Sequence, residues 1–283
     1  MKKIIGIFVI FAMAGMTFVS CDPVENRNVL KGNVSEAEIN QYVKIEQESR
    51  GGKLSNYFSF KSEPLNALTT FKHGLGTYIG CNTNGFIQCY VVPGKQKITL
   101  TVLNPDGSMF EKTYEFTVEE CFNVAPEWAL FCGTGSKTWE WDVSKGANMY
   151  GMGDALADEA GWWCPTPEER VPNEGVGATM TLTASGAELL KNRTNGTKEV
   201  GSFGFDIKKT DGFNKSMGIF TTANATVLAA KNTKGGEVET KFHIIRLNDK
   251  EIHLLVIDMD KRDEYKPDKE GWGQATHWLF RAK

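Results

Sequence analysis

What the sequence lacks removes several functions at once. It has no long basic run and no arginine-rich helix, and its charged residues, 24% of the chain, sum to a net charge of −3. Nothing in that balance points to a polyanion, so nucleic acid is not an expected partner. No Cys-x-x-Cys pair occurs and the four histidines are scattered, so the ligand spacing of a structural zinc site is missing. Neither Gly-x-Ser-x-Gly nor His-Glu-x-x-His is present. Gly151-Met152-Gly153 lacks the later glycine and the following helix of a phosphate loop. No metal and no cofactor is therefore expected.

A catalytic carboxylate pair is also hard to find. Asp258-Met259-Asp260 follows an apolar strand, as in laminarinase-type hydrolases, but Val256 and Lys261 stand where the flanking glutamates belong. Glycoside hydrolysis needs two carboxyl groups across the scissile bond. Strand-end aspartates more often form turns. The expectation is a protein that is not an enzyme.

The amino terminus does carry a signal. Lys2 and Lys3 precede an apolar run from Ile4 to Val19, and Ser20 places a small residue before Cys21. A charged start, an apolar stretch and a small-residue cleavage site describe a secretory signal peptide. The run falls short of the roughly 20 residues that cross a bilayer, and no later segment reaches that length. Phe18-Val19-Ser20-Cys21 resembles a bacterial lipobox. The resemblance implies cleavage before Cys21 that frees its amine, a diacyl lipid on its thiol, and stable membrane anchoring by more than one acyl chain. Residues 1–20 are then a signal peptide and 21–52 a lipidated tether, with Ser35 and Glu38 as a capping box before one short helix.

The other five cysteines, Cys81, Cys89, Cys121, Cys132 and Cys164, cannot all pair within one chain. Cys81 and Cys89 flank Asn82-Thr83-Asn84-Gly85, where a cross-hairpin bridge and free buried thiols are both open.

From residue 53 to 121 the pattern is strands. Ile98, Leu100 and Val102 alternate with threonines, Pro105-Asp106-Gly107 turns the chain, and Tyr114, Phe116 and Val118 alternate again. Period-two alternation joined by turn residues predicts an antiparallel hairpin within a small β-sandwich. Phe71-Lys72-His73-Gly74-Leu75-Gly76-Thr77 resembles the glycine-rich turn of PKD-type immunoglobulin-like domains. Pro93 to Val102 is similar to their closing strand. Such a module implies a spacer.

All seven tryptophans lie beyond Pro126. Alternation at 137–142, 178–183, 203–207, 242–247, 252–257 and 276–281, with Asn248-Asp249 as a hairpin turn, predicts a larger antiparallel β-sandwich or lipocalin-like barrel over 126–283. Ala187 to Lys191 reads as one helical turn. The fold class expected for the whole chain is all-β.

This half resembles the carboxy-terminal domain that follows a PKD-type domain in surface lipoproteins of Bacteroidetes glycan-utilisation systems. The residues that carry the resemblance are Gly135 to Asp142, Tyr150-Gly151-Met152-Gly153, Trp162-Trp163 and Trp278-Leu279-Phe280-Arg281. It implies a glycan-binding protein on the outer membrane, displayed at the cell surface beside an importer. The expected ligand is a polysaccharide or oligosaccharide. A structural or adhesion lipoprotein without a sugar ligand is the second reading, and a glycoside hydrolase the third.

Sugar binding needs flat aromatic faces with polar groups around them. The candidate residues are Trp162, Trp163 and Trp272, with Asp158, Glu159 and Tyr150. Consecutive side chains on extended backbone point opposite ways, which predicts one of Trp162 and Trp163 inward and one available. A core role for both is the alternative. Trp139 and Trp141 share a strand face and are expected in the core, as are Trp278 and Phe280. The acidic residues Asp154, Asp158 and Glu159 could meet calcium, although such loops are usually solvated.

Overall fold

The computed structural model describes residues 32–63, 65–79, 85–233, 236–257 and 273–283. The expected signal peptide, Cys21, Cys81, the Asp258-Met259-Asp260 motif and Trp272 lie outside the described residues. Among the described residues no helix is long and apolar enough to cross a membrane.

The chain is all-β. Its first part holds β1 (Val43–Arg50), β2 (Lys53–Ser62), β3 (Leu68–His73), β4 (Gly76–Ile79), β5 (Ile87–Gln88), β6 (Gly94–Leu103) and β7 (Met109–Val118). They form two sheets, ordered β1-β2-β5 and β4-β3-β6-β7. The β6–β7 hairpin pairs Gly94 with Val118 through Leu103 with Met109. Its alternation turns Ile98, Leu100 and Val102 onto Phe58, Phe60 and Phe71 in a shared core. The glycine-rich turn is the β3–β4 hairpin. A Cβ on Gly74 would stand 2.6 Å from the Tyr90 ring, so only glycine fits there.

Two expectations change here. The tether was expected to run to residue 52, but Val43–Arg50 is a strand paired with β2, and Gly51-Gly52 is its hairpin turn. Both glycines have positive φ, 59° and 81°, as a tight hairpin between right-twisted strands requires. The strand escaped notice because Lys44, Glu46, Glu48 and Arg50 occupy one face and pair with each other and with Lys61. The short helix after Ser35 is a single 3₁₀ turn, Ile39–Gln41, with the Ser35 N–H and hydroxyl both donating to Glu38 Oε2.

The second part holds α1 (Glu127–Cys132), β8 (Ser136–Trp141), β9 (Tyr150–Asp154), α2 (Pro167–Arg170), β10 (Thr179–Thr183), β11 (Glu188–Asn192), β12 (Lys198–Asp206), β13 (Gly218–Ala223), β14 (Lys241–Leu247), β15 (Glu251–Ile257) and β16 (Gln274–Ala282). Eight antiparallel strands close a barrel in the order β15-β14-β13-β12-β11-β10-β8-β16, with β16 returning to β15. β9 lies outside this ring, paired with the first half of β16, while β8 takes the second half. The expected helical turn at 187–191 is instead β11. There Leu189 and Lys191 both face inward, and an inward lysine hides the alternation.

Side chains fill the barrel. Trp139, Trp141, Met180, Leu182, Phe220, Phe242, Leu254, Trp278 and Phe280 are buried in one cluster. Two segments stop the ends. α1 supplies Phe131 and Cys132 where β8 begins, and the connection after β13 supplies Val227, Leu228 and Ala229 at the other end. Each interior indole N–H donates to a backbone carbonyl at one of these ends: Trp139 to Phe131 at 2.9 Å, Trp141 to Glu174 at 2.8 Å, and Trp278 to Ala229 at 3.0 Å. Val91, from the first part, is buried in the same cluster, with Leu75, Val92 and Val124 against it. Cys89, Cys121, Cys132 and Cys164 are free thiols, Cys89 and Cys132 buried among apolar side chains.

Candidate functional site

Between β9 and α2 the chain folds back along the outside of the barrel. Met152 of β9 donates its N–H to the Trp163 carbonyl at 2.8 Å and accepts from the Trp162 N–H at 2.9 Å. These bonds hold the tryptophan pair on an edge strand. The close approach depends on Gly151, where a Cβ would stand 2.5 Å from the Trp163 carbonyl oxygen. Since the interior is already filled, neither indole packs inward: Trp162 is 59% exposed and Trp163 44%. The expectation of one inward and one outward side chain is corrected, and both rings are at the surface.

α2 brings a cation to this surface. Thr166 and Glu169 form a reciprocal capping box, with Pro167 at the first helical position. One turn later Arg170 lies over the Trp163 ring, 5.4 Å from its centroid, within cation–π range. Its Nη2 donates to the Asn232 carbonyl at 3.0 Å, while its buried Nε has no hydrogen-bond partner. Arg170 was not singled out in the sequence, yet Thr166-Pro167-Glu168-Glu169 is a readable helix start that ends on it.

The carboxylates expected beside the pair brace the loop instead. Asp158 meets Lys215 at 3.1 Å and Arg246 at 3.5 Å, and the Lys215 ammonium holds its carboxyl below the ordinary carboxylate range. Lys215 also donates to the Leu156 and Ala157 carbonyls. Glu159 accepts from Asn148 at 3.0 Å and faces Lys145 at 3.5 Å. Asp154 accepts from the Leu156 N–H at 2.7 Å. These acids do not converge, and no group of three or more His, Cys, Asp or Glu side chains among the described residues could hold a metal ion.

Tyr150 is also corrected. It is buried between Trp141 and Trp278, and its hydroxyl donates to the Lys231 carbonyl. Burial of the phenol pushes its pKa up to about 12. It is a core residue because β9 turns it toward the barrel while Gly151 faces the loop. Trp139, Trp141, Trp278 and Phe280 are interior, as their strand faces predict.

Two buried polar clusters were not legible, because their members are far apart in sequence. At the barrel end stopped by Val227 to Ala229, Glu174 is 1% exposed. Its carboxylate meets Lys191 and Arg193, each at 2.8 Å, and accepts from the Ala229 N–H at 2.7 Å. Glu199 completes the network through the same two cations. On the outer face of the barrel, His253 and His277 are stacked with Nε2 and Nδ1 2.9 Å apart. His277 Nε2 lies 3.1 Å from the Asp154 carbonyl, which can only accept. That contact puts the His277 proton on Nε2, leaves its Nδ1 as acceptor, and makes His253 Nε2 the donor. His253 Nδ1 is then a buried acceptor without a partner.

Compared with known proteins, the chain matches no family model and no curated sequence.

Proposed function

We propose that this chain is a lipid-anchored envelope protein that binds polysaccharide or oligosaccharide for a glycan-uptake system at the outer membrane, and that it holds its ligand without cutting it. The observation that carries the reading is the exposure of Trp162 and Trp163 side by side. Keeping indole surface in water forgoes burial worth roughly 25 cal/mol per Å². Adjacent exposed aromatics backed by a fixed strand therefore mark a binding surface. An indole face suits the apolar side of a pyranose ring, and the guanidinium of Arg170 can reach sugar hydroxyls or acids beside it. Since the interior is filled, ligand meets the outside of the barrel, where a long polymer can pass. The anchor rests on the signal run ending at Ser20-Cys21, and the uptake role on the motifs shared with Bacteroidetes surface lipoproteins.

The test is affinity electrophoresis of the mature chain through gels containing a panel of polysaccharides, with Trp162→Ala and Trp163→Ala beside it. At least one polymer should retard the parent, and loss of the stacked ring should weaken binding about tenfold or more, for a contact of roughly 1–3 kcal/mol. If no polymer retards the parent, or both variants migrate as it does, the binding reading fails.

A further inference from the structure

We infer that the end of the first part carrying Leu68, Leu103 and Met109 rests on the bilayer that holds the lipid, so that the small sandwich stands on the membrane and carries the barrel away from it. The inference rests on the lipid-anchor part of the reading above and goes beyond it, because an anchor alone fixes no orientation.

Leu68 of β3 pairs with Leu103 of β6, and Leu103 with Met109 of β7. All three side chains lie on the outer face of their sheet, 49%, 42% and 66% exposed. With strands about 4.8 Å apart, they form one apolar row roughly 10 Å long. The next two rows on this face are polar, Thr70-Thr101-Glu111 and then Lys72-Thr99-Thr113. Single exposed apolar side chains are ordinary, but three in register at one end of a polar face mark a contact surface.

The chain enters at this same end. The Val34 N–H donates to Asn104 Oδ1 at 3.0 Å, and Asn104 Nδ2 returns a bond to the Val34 carbonyl at 3.1 Å. Asn33 donates to Asp106, and Gly32 packs on Asn66. Asn104 and Asp106 belong to the β6–β7 turn, and Asn66 leads into β3, so the entry point adjoins the row. Cys21 lies eleven positions before Gly32, a reach of at most about 40 Å at full extension. The opposite end of these strands meets the barrel: Leu75 of the β3–β4 turn, and Val91 and Val92 ahead of β6, pack into its core. The ten residues of β6 separate the two ends by about 33 Å. In an anchored chain the row therefore faces lipid and the barrel faces away.

Size and charge agree with a lipid surface. Three side chains fall well short of the roughly 800 Å² per partner that a specific protein interface buries, so a second copy is not the occupant. Asp106 and Glu111 are the charges beside the row, and Lys112 lies on the other face of β7 with its ammonium on the Glu36 carbonyl. The contact is thus apolar burial at the headgroup boundary rather than attraction to anionic lipid. Tethering raises the local concentration enough for so small a surface to act.

The test holds the mature chain on phosphatidylcholine vesicles through a histidine tag in place of Cys21 and a nickel-chelating lipid, so it does not depend on acylation. Leu103→Trp and Thr113→Trp are each compared on plain vesicles and on vesicles of brominated phosphatidylcholine, with the parent as background. Leu103→Trp should lose intensity on the brominated vesicles beyond any loss in the parent. Thr113→Trp, about 13 Å farther along the same face, should not. Thermal melts verify folding, and Met109→Trp takes the place of a Leu103→Trp that fails to fold. No added quenching at the row overturns the inference. So does equal quenching of both variants, since the chain would then lie along the sheet face. Shielding of Leu103→Trp from acrylamide without vesicles also overturns it, because the row is then covered by the chain itself or by a second copy, which sedimentation separates. Fatty-acid labelling of Cys21 without added quenching overturns this inference alone, whereas absence of that label removes the anchor and this inference together.

Discussion

Acid should destabilise this protein well above the pH at which its carboxylates titrate, and the His253–His277 pair supplies the reason. Burial drives both imidazoles well below the ordinary value near 6.5, and His277 further disfavours a charge on His253. In the unfolded chain both protonate as pH falls through 6.5, while in the folded barrel both stay neutral. The unfolded state therefore binds more protons, and stability is complete above about pH 6.5 and lost progressively below it. Each histidine contributes a slope approaching roughly 1.4 kcal/mol per pH unit, which integrates to about 2 kcal/mol between pH 7.5 and 5. The pair together gives about 4 kcal/mol, a large part of the roughly 5–15 kcal/mol that a folded domain has. Glu46, Asp158 and Asp211, whose carboxyls are held low by lysines, act in a more acidic window, whereas buried His73, also held below its ordinary value, adds a loss in this one that the parent and the double variant share. Urea unfolding followed by circular dichroism at the two pH values measures the loss. In His253→Gln/His277→Gln the starting stability should be lower and the pH dependence smaller by about 4 kcal/mol. A parent equally stable at both pH values, or a double variant with an unchanged loss, would refute the assignment of buried neutral imidazoles.

The remaining predictions concern the barrel ends, the indoles and the anchor. Glu174→Ala should cost about 3–5 kcal/mol, because it strands Lys191 and Arg193 and frees the Ala229 N–H; denaturant unfolding checks it, and a cost under about 1 kcal/mol would contradict a buried latch. Trp139→Ala should lose about 3–5 kcal/mol through the cavity it leaves, whereas Trp162→Ala should melt close to the parent. Cys21→Ala should abolish incorporation of a labelled fatty acid, and continued labelling would mean that the lipid is elsewhere.

The strands that could be read were those with one clean apolar face. Ile98, Leu100 and Val102 announce β6, and Trp139 and Trp141 announce β8, because alternation survives whenever the inward side chains are apolar. β1 failed that test by carrying charges along one face, and β11 failed it by turning Lys191 inward against a glutamate 17 positions away in the chain. Pairing of that kind is long-range and leaves no local trace. The site was half legible. Trp162 and Trp163 stood out in a turn-rich stretch, but the inward or outward choice depended on whether the barrel had room, which Trp139, Trp141 and Trp278 decide. Tyr150 was misplaced for the same reason, since only the register of β9 on β16 shows which of its side chains face the core.

The indoles also sort themselves by access to small solutes. Trp139, Trp141 and Trp278 are sealed, each with its N–H committed to a carbonyl, so neither iodide nor caesium can collide with them. Trp162 and Trp163 stand in solvent, and the guanidinium beside Trp163 attracts one quencher ion and repels the other. The molecule thus carries a built-in optical label on its outer wall. Small solutes can dim that label, while the three sealed indoles supply a constant background in the same cuvette.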